Sequence, residues 1–521
     1  MRSVPAAAKA SLAAALLALP QGSELVPHPA PASDGYGNAV AVGRHAVFVG
    51  AWRGRARAGR SGIVHVFEHG HGGWSETSVL APRSPAPDQH FGASLAVHAD
   101  TLLVGAPGDR EAGRNAGAVF VFERTDGGWR QSAKLLAVPG RRGQQLGYSV
   151  AIDGDRALLG AIGYDVVARG AGAAYVFERS GTGWSQVARL AAGDAGRGAL
   201  FGHAVALEGD VALVGANRDG KAANRAGGAA YVFELRTGSS DWRQVAKLVP
   251  PVASRRSRFG HALDLGGGIA AIGDRFGVPG GAVHIYVREN GAWAHEAILR
   301  SPSAHASEFG WAVDVDGDSI LVGDRSDARE GAVACFLRDA DSGWTARALF
   351  RAPEGAEERG FGFAVGQGAG RAFVGAAMQA GDEPGAAFTL PLPRQSELRP
   401  LAWGDPLATG TNARGWDGVW ISGRPTAGIG FFALRSVAPH TPFDPLRSIA
   451  NARTRLRRSP VSPAGASAWI HSISVQSLDG SHGPPAVGAS LLVESWWRPA
   501  RAGRRTPRAT VVMTTLEVPR R

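Results

Sequence analysis

The feature that most constrains this chain is a pair of glycines thirteen residues apart, repeated seven times. The first of each pair is Gly37, Gly92, Gly147, Gly202, Gly260, Gly310 or Gly362, and it follows an aromatic or aliphatic residue. The second is Gly50, Gly105, Gly160, Gly215, Gly273, Gly323 or Gly375. The spacing inside a pair never changes. The distance between pairs varies from 50 residues (Gly260 to Gly310) to 58 (Gly202 to Gly260). A fixed segment with elastic ends makes each repeat one supersecondary unit joined by variable loops.

Each unit reads as four short strands. In the clearest copy they are Phe91 to Val97, Thr101 to Ala106, Ala118 to Phe122 and Trp129 to Leu136. The second is almost continuously apolar, as a strand covered on both faces should be. On the fourth, alternation places Trp129, Gln131, Ala133 and Leu135 on one face and Arg130, Ser132 and Lys134 on the other. Asp153-Gly154-Asp155, Glu208-Gly209-Asp210 and Asp316-Gly317-Asp318 supply hairpin-turn chemistry between the first two strands. Seven such units predict an all-β chain: a seven-bladed β-propeller of four-stranded antiparallel blades.

The ends of the repeat region favour a closed ring over an open solenoid. The seventh repeat stops after its third strand, Ala386 to Leu390. Leu25 stands eleven residues before Tyr36, as Leu80 stands before Phe91 and Leu135 before Leu146. Residues Glu24 to Pro27 are therefore expected to supply the missing outer strand, burying Leu25 and Val26 and covering an exposed edge.

Phe91-Gly92 with Gly105-Ala106-Pro107 resembles the FG-GAP repeats of the integrin alpha-chain propeller and of exported bacterial proteins. The resemblance covers about residues 23 to 392 and implies the same propeller fold. It also raises calcium, which such repeats often hold in an Asp-rich loop after the second glycine. The corresponding loops here read Gly108-Asp109-Arg110-Glu111 and Asn217-Arg218-Asp219-Gly220, without three alternating acidic ligands. No metal and no cofactor is expected. Asp314-x-Asp316-Gly317-Asp318 lies on a hairpin and is read as turn chemistry.

Residues 1–22 read as a signal peptide, with Arg2 and Lys9 before an apolar run too short to span a bilayer. The mature protein is expected to be secreted, periplasmic or on the cell surface, with no transmembrane segment and a monomeric propeller. Residues 23–392 form that propeller, with 23–28 closing the last blade. Residues 393–400 read as a linker, and 401–521 as a small, basic, β-rich domain. From Gln395 onward sixteen Arg stand against seven acidic residues, which includes the run Arg453 to Arg458. The single cysteine, Cys335, excludes intrachain disulfides and is expected to be an inert core thiol.

With the first strand at the axis, the four-to-one and two-to-three loops share one rim. Candidate partner-binding residues on it are Arg53, Arg55, Arg57, Arg60, Arg141, Arg142, Arg218, Lys221, Arg225, Arg255, Arg256 and Arg258. Glu354, Glu357, Glu358, Asp382 and Glu383 make the last two repeats acidic there. Such a rim suits a protein or an anionic polysaccharide. Export argues against nucleic acid. His203 and His261 follow the first glycine of their repeats and are read as packing at the channel rim. Asp274-Arg275 and Asp324-Arg325 are read as local salt bridges. No catalytic residue is assigned, since no nucleophile signature or phosphate loop is present. The expected function is non-catalytic binding through the loop rim. The alternative is a hydrolase acting on a polymer through acidic residues at the channel mouth.

Overall fold

The computed structural model describes residues 23–28, 34–56, 59–164, 168–220, 227–327, 330–352, 360–377 and 385–393, except 72, 182, 195, 237, 253, 255, 304 and 340–342, and the backbone of several strands between 410 and 517. The expected signal peptide lies outside the described residues, as do linker residues 394–400 and the basic run at 453–458. The chain divides into two units, Pro20–Gln395 and a second that includes Ser396–Arg521.

The first unit is a seven-bladed propeller of four-stranded antiparallel sheets, and the inner strand of the first blade packs against that of the seventh. Blade 3 shows the plan: Leu146–Asp153 is innermost, followed outward by Arg156–Ala161, Ala173–Ser180 and Gly183–Leu190. The second strand is buried along its length, so the core lies between the blades. In blades 2, 5 and 6 the inner strand starts later than its sequence pattern, at Ser94, Leu263 and Ala312.

The glycine pairs are the joints between blades. All seven first glycines have φ between +80° and +91°, a region that side chains disfavour. Each second glycine lies against the first glycine of the next repeat. A Cβ on Gly105 would stand 2.2 Å from the Gly147 carbonyl oxygen, and one on Gly160 would stand 2.2 Å from that of Gly202. Among the described residues parallel bridges such as Gly117 to Leu146 and Gly172 to Phe201 join each of blades 2 to 6 to the next beside these contacts. The outer-strand tryptophans wedge the periphery: Trp129 meets Phe48 of the preceding blade edge-on at 4.9 Å.

The outer strands do not keep the alternation expected of them. Val121 pairs with Ala133 and Phe122 with Gln131, so Ser132 is an extra residue in a β-bulge. The bulge inverts the phase: Ala133 and Leu135 stay on one face, while Gln131 and Trp129 join Lys134 on the other. Blades 1, 3, 4, 5 and 6 carry a bulge at the equivalent place.

The seventh blade is completed by the N-terminal segment. Ser23 pairs with Thr389 and Glu24 with Phe388, and Leu25 N–H donates to the Ala387 carbonyl at 2.8 Å. Leu25 is 1% exposed, and its carbonyl accepts the Tyr36 hydroxyl at 2.7 Å. The expected continuation to Pro27 does not occur, and Val26 is 60% exposed. Proline has no N–H for the ladder, and His28 N–H instead reaches Glu76 Oε2 at 2.6 Å.

In the second unit Asp417–Ser422 pairs antiparallel with Phe431–Leu434. Ala468–Ser477, Ser490–Pro499 and Thr510–Glu517 form a separate antiparallel sheet. Among the described residues no helix is long and apolar enough to cross a membrane.

Candidate functional site

The sheet order sets two different mouths on the propeller axis. Inner strands enter from the loop rim and leave at the tight hairpins. Residues just after the first glycine therefore surround the loop-rim mouth, and strand ends surround the hairpin mouth.

At the loop-rim mouth, five consecutive blades contribute rings in contact. Tyr148 and His203 lie 5.3 Å apart between centroids, His203 and His261 4.8 Å, His261 and Trp311 4.6 Å, and Trp311 and Phe363 5.3 Å. Blades 1 and 2 carry Asn38 and Ala93 at this position, so the collar of rings is interrupted there. Arg325 stacks on Trp311 at 3.5 Å and Arg275 at 4.5 Å. Neither arginine pairs with the aspartate beside it in sequence, contrary to the expected local bridge. Both reach Glu308, from Arg325 Nε at 2.6 Å and Arg275 at 3.7 Å. Asp274 and Asp324 are turned inward. Asp274 accepts the Ser257 hydroxyl and Arg258 N–H, and Asp324 accepts Ser307 and Glu308 N–H.

The mouth is electropositive. Burial pushes the His203 imidazole down to about 4, and nearby Arg275 and Arg218 push the same way. Burial also lowers His261, as do His203 and the Arg275, Arg325 and Arg258 guanidiniums. Both rings are therefore neutral near pH 7. His203 Nδ1 lies 3.0 Å from the His261 carbonyl, a geometry that fixes its N–H on that nitrogen.

The expected basic residues fall on loops of blades 1 to 5. Arg53, Arg55, Arg60, Arg141, Arg142, Arg218 and Arg256 are exposed, and Arg258 is half-buried. Arg53 stacks on Trp52 at 4.2 Å and Arg141 on Tyr164 at 5.8 Å. Of the set, Arg218 and Arg258 reach the aromatic mouth. Arg57, Lys221, Arg225 and Arg255 lie outside the described residues, as do Glu354, Glu357, Glu358, Asp382 and Glu383.

The hairpin mouth opens on a cavity of about 500 Å³ whose lining includes His98, Asp153, Glu208, Asp264, Asp314 and Asp316. Sequence reading missed this acidic collar, because Asp314 was read as part of a turn. Much of it clasps neighbouring blades. Asp153 accepts Gly209 N–H at 2.6 Å, Glu208 accepts Gly267 N–H at 2.7 Å and Asp264 accepts Val315 N–H at 2.7 Å. Burial raises Asp264 to about 6, with Glu208 and Asp316 adding to the rise. Burial and the facing Asp264 carboxylate also hold Asp314 well above the usual range.

The loops that would carry calcium are built differently. Asp109 is 1% exposed, and its carboxylate takes Lys134 Nζ at 2.9 Å and Gln89 Nε2 at 2.7 Å. Asp219, at the equivalent place, takes Lys247 Nζ and the Tyr231 hydroxyl, each at 2.7 Å. Asp327 takes Arg351 at 2.9 Å. Burial disfavours the Lys247 ammonium, but hydrogen bonds to Asp194 and Asp219 outweigh it and raise its pKa. In blade 3 the acid is replaced by Tyr164, whose hydroxyl accepts from Arg189 at 2.8 Å. In blades 1 and 5 it is Gly54 or Gly277, and the outer strand offers Val79 or Ile298 instead of a cation. The acid and its counter-charge thus come and go together. Carboxylates already facing an ammonium or guanidinium do not fit a divalent cation. Cys335 is buried, and desolvation raises its thiol to about 11, so it is unreactive.

Repeated glycine joints and seven blades around one axis define an FG-GAP type propeller. The FG-GAP repeat family matches residues 74–122, 129–177 and 184–233. Each match begins on the outer strand of one blade and ends on the third strand of the next. The chain is an FG-GAP repeat β-propeller protein. Solved structures similar to it include a periplasmic gluconolactonase of Pseudomonas aeruginosa, 16% identical, covering 60% of this chain and 84% of that one at a TM-score of 0.40. Sqt1 of Saccharomyces cerevisiae is 13% identical, covering 70% and 97% respectively at 0.39. No curated protein matches the chain.

Proposed function

We propose that this chain is an exported, non-catalytic binding protein whose loop rim receives an anionic partner, a protein or a polysaccharide. The observation that carries this reading is the arc of Tyr148, His203, His261, Trp311 and Phe363 held under stacked arginines. Half-exposed rings offer contact area, and guanidiniums favour carboxylate or sulfate groups. Arg53, Arg55, Arg60, Arg141, Arg142 and Arg256 extend positive charge outward from that mouth.

The hydrolase reading rests on the Asp264 and Asp314 pair, whose raised pKa values suit proton transfer. It is the weaker reading, because Asp264 is already engaged by a backbone N–H of the next blade. A panel of soluble proteins and glycans, assayed for both binding and breakdown by the purified chain, separates the two. The proposal expects binding without product, weakened by Arg218→Glu. Product formation abolished by Asp314→Asn would establish the hydrolase instead.

A further inference from the structure

We infer that the loop-rim mouth binds a carboxylate-bearing polysaccharide, with sugar rings against the aromatic arc and uronate groups on the arginines beside it. This rests on the binding role proposed above and narrows it to one class of partner.

Three observations support it. The first is the juxtaposition of rings and cations. Tyr148, 37% exposed, ends the arc beside Arg218, and Trp311 and Phe363 form its other end beneath Arg325. Aromatic faces take up the apolar C–H face of a pyranose. A guanidinium takes up a carboxylate through paired hydrogen bonds.

The second is the balance of charge. Arg218, Arg258, Arg275 and Arg325 act on the mouth, and Glu308 is the carboxylate paired with two of them. The two histidines add no charge near neutral pH. Arg275 also has a buried Nε without a hydrogen-bond partner. An anionic group would be favoured here, and the acidic collar at the other mouth would repel one.

The third is the character of the described rim surface. A protein partner would need a contiguous apolar centre. Among the described residues the large exposed aliphatic side chains are Val26 beside the N-terminal strand, Val138, Val249 and Val252 in four-to-one loops, and Val79, Val245 and Ile298 on outer strands, and none belongs to the aromatic arc. Arginines repeated from blade to blade, two of them stacked on Trp52 and Tyr164, instead suit a polymer with repeating charge. In the gap of the collar Asn38 accepts Trp52 N–H at 3.3 Å, so this part of the mouth adjoins Trp52 and its stacked Arg53.

The test is calorimetric titration of the full chain with hexagalacturonate, its methyl ester and a single-stranded oligonucleotide of similar charge. The acid should bind, weaken at high salt, and exceed the ester by roughly tenfold or more. Tyr148→Ala and Arg218→Gln should each lower affinity roughly tenfold while leaving the melting curve unchanged. Both side chains are exposed, so loss of fold is not the expected cause. Proton NMR gives a second readout: a bound carboxylate should raise the His203 titration toward its ordinary value. Equal binding of acid and ester, or tighter binding of the oligonucleotide, would overturn the inference. Failure of all three probes beside capture of a defined protein at the same rim would overturn the sugar assignment while leaving the binding role intact.

Discussion

Gly375, on the last blade, lies directly against the carbonyl of Gly37 on the first: a Cβ at position 375 would stand 2.0 Å from that oxygen. The two residues are 338 positions apart, yet their contact repeats the one between Gly105 and Gly147. The ring therefore closes through the same backbone joint that links its interior blades.

The joint makes a sharp prediction about alanine. Gly375→Ala and Gly105→Ala should each destabilise by about 2–4 kcal/mol, because a methyl group would be forced against backbone. Gly193→Ala should change little, since nothing lies within 4 Å of its added Cβ. Urea unfolding of the three variants checks this.

The repeat could be read in the sequence because every blade must bring a bare Cα to the same two places. The column Asn38, Ala93, Tyr148, His203, His261, Trp311 and Phe363 was equally visible. Its meaning was not, because the rings meet only after residues about 50 positions apart are brought around one axis. The bulge at Ser132 was hidden for a related reason. It is an offset between two strands, and the alternation along one strand carries no trace of it. Arg275 and Arg325 were assigned to their neighbouring aspartates, but Glu308 lies between both and the aspartates hold backbone. The acidic collar escaped notice because Asp-Gly-Asp is a sufficient turn signal by itself.

Metal independence is the second prediction. Melting curves with calcium and with chelator should coincide. Lys134→Met should lower stability by on the order of 2–4 kcal/mol, since it leaves the buried Asp109 carboxylate facing Gln89 without its ammonium. A rise in melting temperature when calcium is added to the parent protein would show that a cation site exists in the loops.

The N-terminal strand is the third. Leu25→Asp should cost about 3 kcal/mol or more, because a charge would enter an apolar site, whereas Val26→Asp should be nearly neutral. The contrast between adjacent residues follows from their opposite exposure. Removal of residues 23–28 should destabilise and also promote association through the bared strand Ala386–Pro391. Unfolding curves and sedimentation read the two effects.

The fourth concerns pH. Asp264 and Asp314 have folded pKa values raised above their unfolded ones. Such groups contribute stability that is fully present below the unfolded pKa and lost as pH rises through the folded values. Asp314→Asn should therefore stabilise the protein increasingly as pH rises above the ordinary carboxylate range, and the difference should shrink toward pH ~4. The depressed His203 titration works in the opposite direction, but it is common to both proteins and cancels. Melting temperatures of the pair across this range provide the check.

Binding at the loop rim, without chemistry, has a direct experimental signature. Hydrogen exchange of the full chain with and without hexagalacturonate tests it most directly. Protection is expected around residues 148–150, 203–205, 261–263 and 311–313, with the hairpins at 153–156, 208–211 and 316–319 unchanged and the oligosaccharide recovered intact. Protection confined to those hairpins, or a shortened oligosaccharide, would contradict it.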